Sequence, residues 1–340
     1  MRISRLLVVA AMLAVFASLP AARSPAADYK PEYKVSTVLG PPFPWGVAAE
    51  KWAELVAQRT DGRIVMKVYS GSQLVQGDQT KEFTAMRDGI IEMAVGSTIN
   101  WSPQIKELNL FALPFLMPDH AAIDALTQGD VGRDLFAIIR QRGIEPLAWG
   151  ENGFRQLSNS KREVRKPEDL QGLKIRVVGS PLFNDTFSAL GANPTQMSWA
   201  DAKPALATGA VDGQENPLTV YVNAKMETLG QTYVTLWNYV ADPLIFAVNA
   251  RVWNSFAPAD QEIVRQAASE AGKLSIQLAR DGDAEAEAEL PTMGVRVTRP
   301  SAAELRAFVA ATRPVFDTWA GRIGPDLVGR AESAVAASKP

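Results

Sequence analysis

Two hydrophobic periods alternate along this chain, and that alternation is its strongest constraint on fold. Short runs rich in β-branched and apolar residues, Lys34–Leu39, Arg63–Tyr69 and Ile90–Val95, read as strands. Between them apolar residues recur at helical spacing. From Trp45 to Arg59 the recurring set is Ala48, Ala49, Trp52, Leu55 and Val56, and Asp61-Gly62 ends the stretch. A second helix is predicted over about Thr80–Arg87, and Gly40-Pro41-Pro42-Phe43-Pro44 makes a stiff turn before the first. Strand, helix, strand, helix, strand is the order of a parallel sheet, because a parallel neighbour needs a crossover long enough to hold a helix.

The pattern then restarts. The spacing predicts a helix over Ala121–Arg142 broken near Gly129, then a strand Ile144–Trp149. A strand Leu173–Val178, helices Pro181–Leu190 and Ala200–Thr208, and strands Tyr233–Trp237 and Leu244–Val248 follow. A long helix is expected from Pro258 to Leu290, and its Asp281–Glu289 end, poor in apolar periodicity, reads as an exposed face. Strand Val295–Thr298 and helix Ala302–Trp319 complete the chain. This makes two α/β units with no Gly/Ser-rich or Pro-rich linker between them, so regular segments must join them. Such an arrangement suits a hinged protein with a cleft between its lobes, where ligands commonly bind.

The N-terminus has the order of a secretory leader. Arg2 and Arg5 precede an apolar run from Leu6 to Leu19, and small residues lead to Ser24-Pro25-Ala26-Ala27. Cleavage is expected after Ala27, with Ala22 as a second site. The run falls short of the roughly 20 apolar residues that span a bilayer. The chain has no cysteine, so it is neither a lipoprotein nor held by disulfides, and its own core must stabilise it. Net charge is −2, and loss of Arg2, Arg5 and Arg23 with residues 1–27 leaves it near −5. Acidic and basic residues are interspersed, and no basic cluster points to nucleic acid or a membrane surface.

The inventory for catalysis is poor. The single histidine, His120, stands where a helix begins and reads as a surface residue. One histidine and no cysteine exclude zinc sites built on those ligands. No Gly-x-Ser-x-Gly elbow, phosphate-binding loop or dinucleotide fingerprint occurs. No catalytic residue, metal or cofactor is therefore expected. A hydrolase or lyase working through paired carboxylates is the alternative from another class.

Residues 170–217 carry most of the signal. Along the strand, Ile175 and Val177 face one way and Lys174 and Arg176 the other. Ser180 is a good N-cap and Pro181 a good first helical residue, so free N–H groups would lie close to Arg176. A guanidinium fork holds a carboxylate with two parallel hydrogen bonds. On the residues alone Arg176 reads equally as an ion pair on a strand face, and Trp199 reads as core packing or as a ligand wall.

Three motifs shift that balance: Gly172-Leu173-Lys174-Ile175-Arg176-Val177, Leu190-Gly191-Ala192-Asn193-Pro194-Thr195 and Val211-Asp212-Gly213-Gln214-Glu215-Asn216-Pro217. Together with Pro44-Trp45, Ser72-Gln73-Leu74, Leu113-Pro114-Phe115 and Asn152-Gly153-Phe154-Arg155, they resemble the DctP-type substrate-binding proteins of tripartite ATP-independent periplasmic (TRAP) transporters. The resemblance implies an α/β periplasmic-binding-protein fold of two lobes. Each lobe would be a mostly parallel sheet flanked by helices, with a ligand cleft between them and a long helix spanning both. Lobe one is expected at 28–152 plus 242–281, and lobe two at 153–241 plus 282–340. The resemblance further implies that Arg176 pairs with a ligand carboxylate and that Asn216 helps hold the same group. It makes Arg155 a second contact and packs Trp199 on the ligand body. Trp45, Gln76, Ser97, Asn100 and Tyr239 stand where further contacts fall.

Gly179 replaces an Asn frequent in the sialic-acid-binding members, and Ser97 and Asn100 stand where those members carry charge. A large sugar acid of that kind is therefore not expected. A dicarboxylate, a keto or hydroxy acid, or an aromatic acid remains open, and Trp199 favours a flat or compact one. The implied partners are the small and large membrane subunits of a TRAP permease, with the receptor itself a monomer. A sensory component built on the same fold is the other use of such a cleft.

Overall fold

The computed structural model describes residues 29–338, so the leader expected over 1–27 lies outside the described residues. In chain order the strands are β1 (Tyr33–Thr37), β2 (Met66–Tyr69), β3 (Met93–Ser97), β4 (Ile144–Phe154), β5 (Gln156–Asn159), β6 (Lys174–Val177), β7 (Asn193–Gln196), β8 (Gly213–Asn216), β9 (Tyr233–Thr235), β10 (Ala241–Asn249) and β11 (Arg296–Thr298). The α-helices are α1 (Pro44–Arg59), α2 (Glu82–Arg87), α3 (Thr98–Trp101), α4 (His120–Gln128), α5 (Asp130–Gln141), α6 (Pro181–Ala189), α7 (Trp199–Thr208), α8 (Leu218–Asn223), α9 (Ala250–Ser255), α10 (Pro258–Glu289), α11 (Ala302–Ile323) and α12 (Pro325–Ala337). Among the described residues no helix is long and apolar enough to cross a membrane.

The strands form two sheets, ordered β2-β1-β3-β10-β4 and β11-β9-β5-β8-β6-β7. Each is parallel apart from one reversed strand, β10 in the first and β5 in the second. The reversals mark where the chain changes sheet. β4 leaves the first sheet at Phe154, and β5 enters the second at Gln156 with Arg155 between them. The return runs alongside it: Phe154 pairs with Ala241, and the Arg155 N–H donates to the Val240 carbonyl at 3.0 Å. Gly153 has φ +120° at this crossing, and a Cβ there would lie 2.8 Å from an Asp283 carboxylate oxygen. Both the backbone angle and the space require glycine.

Helix α10 ties the units together. Its 32 residues span about 48 Å at 1.5 Å per residue. Its first half packs Val264, Ala267, Ala268 and Ala271 into the first core with Trp52 and Phe246. The Trp52 indole N–H donates to the Val264 carbonyl at 3.1 Å. At Gly272 the helix comes so close to β4 that a Cβ would lie 2.2 Å from the Trp149 carbonyl oxygen. The far end buries Ala286 and then Leu290 with Tyr221 and Val234 of the second unit. The expected exposed face at Asp281–Glu289 is interrupted by Ala286 and by Asp283, whose carboxylate accepts from the Thr219 N–H at 2.8 Å. Helices α11 and α12 bring Phe308, Trp319, Val328 and Ala331 into one cluster with Ile123 and Leu126 of α4 and Phe183 and Phe187 of α6.

The helix break at Gly129 is seen between α4 and α5, whereas several strands differ from the sequence reading. β2 begins at Met66 rather than Arg63, and β3 runs from Met93 rather than Ile90. β5, β7 and β8 read Gln-Leu-Ser-Asn, Asn-Pro-Thr-Gln and Gly-Gln-Glu-Asn and were not expected as strands. In β5 and β8 the buried side chains hydrogen-bond to one another, so no apolar alternation marks them.

Candidate functional site

Where the sheets face each other, they enclose a cavity of about 330 Å³, counting the space open to solvent. From the first unit it is lined by Val38, Leu39, Trp45, Gln79, Ser97, Asn100, Asn152 and Asp242. Arg155, Arg176, Val178, Trp199, Asn216 and Val220 complete it from the crossing strand and the second unit.

Local structure fixes each side chain. Trp45, in the first turn of α1, donates its indole N–H to the Val95 carbonyl at 2.7 Å. Ser97 caps α3, accepting from the Ile99 N–H at 3.1 Å, and donates its own hydroxyl proton to Asp242. Asn152, near the end of β4, donates to the other Asp242 oxygen at 2.8 Å. In the second unit the Asn216 amide donates to Gln214, whose amide donates to the Ser158 hydroxyl at 2.9 Å. Trp199 opens α7, and its backbone N–H donates to the Gln79 side-chain oxygen at 2.9 Å. That bond and a Ser180–Asn109 contact of 3.2 Å join the two units, so the cleft is closed.

The two arginines have opposite surroundings. Arg155 makes four hydrogen bonds to two buried carboxylate residues. Its Nε and Nη2 hold both Glu215 carboxylate oxygens, Nη2 also reaches the Glu215 carbonyl at 2.7 Å, and Nη1 reaches Asp242 at 3.0 Å. Burial alone would lower the Arg155 pKa, but Glu215 and then Asp242 outweigh it and hold the group charged. Of its five N–H groups only one is left to meet a ligand.

Arg176 is 1% exposed, yet among the described residues no carboxylate pairs with it. Its Nε and Nη2 both donate to one acceptor, the Met197 carbonyl, at 3.2 and 2.9 Å. Its guanidinium carbon lies 5.8 Å from the Trp199 ring centre, within cation–π range. Burial pulls its pKa down to about 10; Glu215 acts against that shift and Arg155 adds to it. Three of its N–H groups are unspent and able to donate to an anion.

Of the residues singled out in the sequence, Arg176, Asn216, Arg155, Trp199, Trp45, Ser97 and Asn100 all line this cavity. Gln76 does not: it is exposed in a left-handed turn outside, and Gln79, three residues along at the start of the next helical turn, takes the place expected for it. Tyr239 is buried behind the wall, where its hydroxyl donates to Glu215 at 2.7 Å. Burial first, and the Glu215 charge second, raise its pKa well above normal. The α6 N-terminus does not reach the cavity either, and Ser180 turns its hydroxyl to Asn109 instead of capping the helix.

Sequence reasoning missed Gln79, Asn152 and Asp242. Asp242 lay unmarked before an apolar strand, and only the chain crossing brings it to Arg155, 87 residues away. Burial raises its pKa, against the pull of Arg155. His120 lies elsewhere, half-exposed, its Nδ1 3.4 Å from Glu151. Among the described residues no group of three or more His, Cys, Asp or Glu side chains is arranged to hold a metal ion.

Residues 35–322 match the family described as bacterial extracellular solute-binding protein, family 7. A TRAP periplasmic solute-binding protein from Ralstonia eutropha H16, solved with bound (S)-2-hydroxy-2-methyl-3-oxobutanoate (2-acetolactate), is 63% identical with a TM-score of 0.90; the match covers 91% of this chain and 99% of that one. A Sulfurospirillum deleyianum TRAP solute-binding protein with bound succinate is 27% identical, with a TM-score of 0.82 over 89% of this chain and 98% of that one. The C4-dicarboxylate-binding periplasmic protein DctP of Rhodobacter capsulatus is 30% identical over 98% of both chains. With a match over nearly all of the described residues, the chain belongs to the DctP family, family 7 of the bacterial extracellular solute-binding proteins.

Proposed function

We propose that this protein captures a compact organic acid in the periplasm and delivers it to the small and large membrane subunits of a TRAP permease. The observation that carries the reading is Arg176, a cation buried in a closed cleft with no carboxylate of its own. A ligand carboxylate would supply the missing charge. Asn216 and the remaining Arg155 N–H would hold its second face, and Trp45 and Trp199 would flank its carbon skeleton. The 63% identical relative solved with 2-acetolactate supports a small hydroxy-keto acid. The leader-like residues 1–27 support export. Lobe one, 28–152 plus 242–281, and lobe two, 153–241 plus 282–340, would swing about the paired strands at Arg155 and Val240. Binding is capture without turnover in this reading, in keeping with the solute-binding family to which the chain belongs.

The test is thermal melting of the purified protein with 2-acetolactate and, separately, with its methyl ester. A ligand bound to the native state raises the melting temperature by mass action. The acid should raise it and the ester should not. An ester that stabilises equally would overturn the carboxylate clamp.

A further inference from the structure

We propose that the cleft selects a monocarboxylate bearing a hydroxyl group, that Asn100 reads that hydroxyl, and that dicarboxylates are rejected. The inference rests on the carboxylate capture proposed above and narrows it to a substrate class.

Charge is the first argument. Two cations, Arg155 and Arg176, face the cavity, and Asp242 lines it with Glu215 directly behind Arg155. The two cations and two carboxylates already cancel, but Arg155 touches both carboxylates and Arg176 touches neither. A first ligand carboxylate is compensated by direct contact with Arg176. A second would be desolvated without a partner, on the side where Asp242 already stands, and an unpaired buried charge is strongly unfavourable.

The second argument is the hydrogen-bond polarity of the first unit's wall. The Ser97 hydroxyl and one Asn152 amide N–H are committed to Asp242, and the Gln79 side-chain oxygen accepts from Trp199. One buried acceptor stands open beside the free amide N–H groups of Gln79 and Asn100. Asn100 is 5% exposed and lines the cavity, and its side-chain oxygen is buried with no partner among the described residues. A buried polar atom left unsatisfied is rare, and the atom that satisfies it here must carry a proton. A ligand hydroxyl does so, whereas a second carboxylate offers only more acceptors. The apolar share of the wall, Val38, Leu39, Val178 and Val220, leaves room for small alkyl groups beside it.

Calorimetric titration with three matched probes decides this. They are 2-acetolactate, 2,2-dimethyl-3-oxobutanoate with the hydroxyl replaced by methyl, and 2-hydroxy-2-methylbutanedioate with a second carboxylate. The dimethyl acid should bind about ten- to hundredfold more weakly than 2-acetolactate, and the diacid at least about a hundredfold more weakly. Asn100→Leu should weaken 2-acetolactate about tenfold and abolish its advantage over the dimethyl acid. The three probes on the unmodified protein decide the substrate class even if that variant folds poorly. A dimethyl acid or diacid that binds as tightly as 2-acetolactate overturns the selectivity while leaving carboxylate capture standing. A folded Asn100→Leu that keeps the preference overturns the role of Asn100. If none of the three binds, the capture reading fails and this inference fails with it.

Discussion

Arg155 and Arg176 share one cavity, and burial means a different thing for each. Arg155 completes a buried network, so removing it strands Glu215 and Asp242 without a counter-charge. Arg155→Met should lower the stability of the ligand-free protein by about 3–5 kcal/mol, the usual result of breaking a buried pair from one side. Arg176→Met removes a desolvated cation that no carboxylate of the protein compensates. Its ligand-free stability should stay within about 1 kcal/mol of the parent or rise. Denaturant unfolding of both variants checks the contrast; equal losses would make Arg176 an internal structural cation. The sequence could not separate these two residues. Both are arginines within family-like motifs, and their difference is set by partners distant in the chain. Glu215 lies 60 residues from Arg155 and Asp242 lies 87 away. For Arg176 the telling fact is a missing partner, which no local pattern encodes.

Among the elements, the long helices were the most legible and the polar strands the least; α3, α8, α9 and α12 were not expected. α10 was readable because sustained apolar spacing over many turns is hard to produce by chance. β7 is largely exposed and so carries polar side chains, whereas β8 is buried and sets Gln214 opposite Arg176 with Asn216 in the same cavity wall. An interior whose side chains satisfy one another by hydrogen bonds leaves no hydrophobic alternation to read. The close contact of α10 with β4 was equally hidden, since Gly272 inside a helix looks only like a weak helix former. Its reason is steric: a methyl group there would meet the Trp149 carbonyl. Gly272→Ala should therefore cost about 1–3 kcal/mol, because the helix must shift off the strand. An unchanged or raised melting temperature would mean that the helix does not press on β4 as described.

At the scale of the whole molecule, the two-unit architecture followed from the alternation of periods, and the crossing points did not. Each sheet has its one reversed strand at the crossing, so the path that joins the units also carries Arg155, Asn152 and Asp242 into the cleft. In the proposed reading closure and binding are one event: the ligand would touch both units only when they meet, and its differential affinity would shift the population toward the closed form. The closed state buries Arg176 and adds the Gln79–Trp199 contact across the units. The carboxylate of the ligand must then repay the desolvation of that cation. Titration calorimetry of 2-acetolactate against the parent and Arg176→Lys tests this most directly, with the ligand-free melt of each recorded alongside. Lysine keeps the charge but lacks the planar fork. The account predicts a Kd about ten- to a hundredfold weaker for Arg176→Lys with a ligand-free melt close to the parent's. An unchanged Kd, or a ligand-free melt far below the parent's, would contradict it.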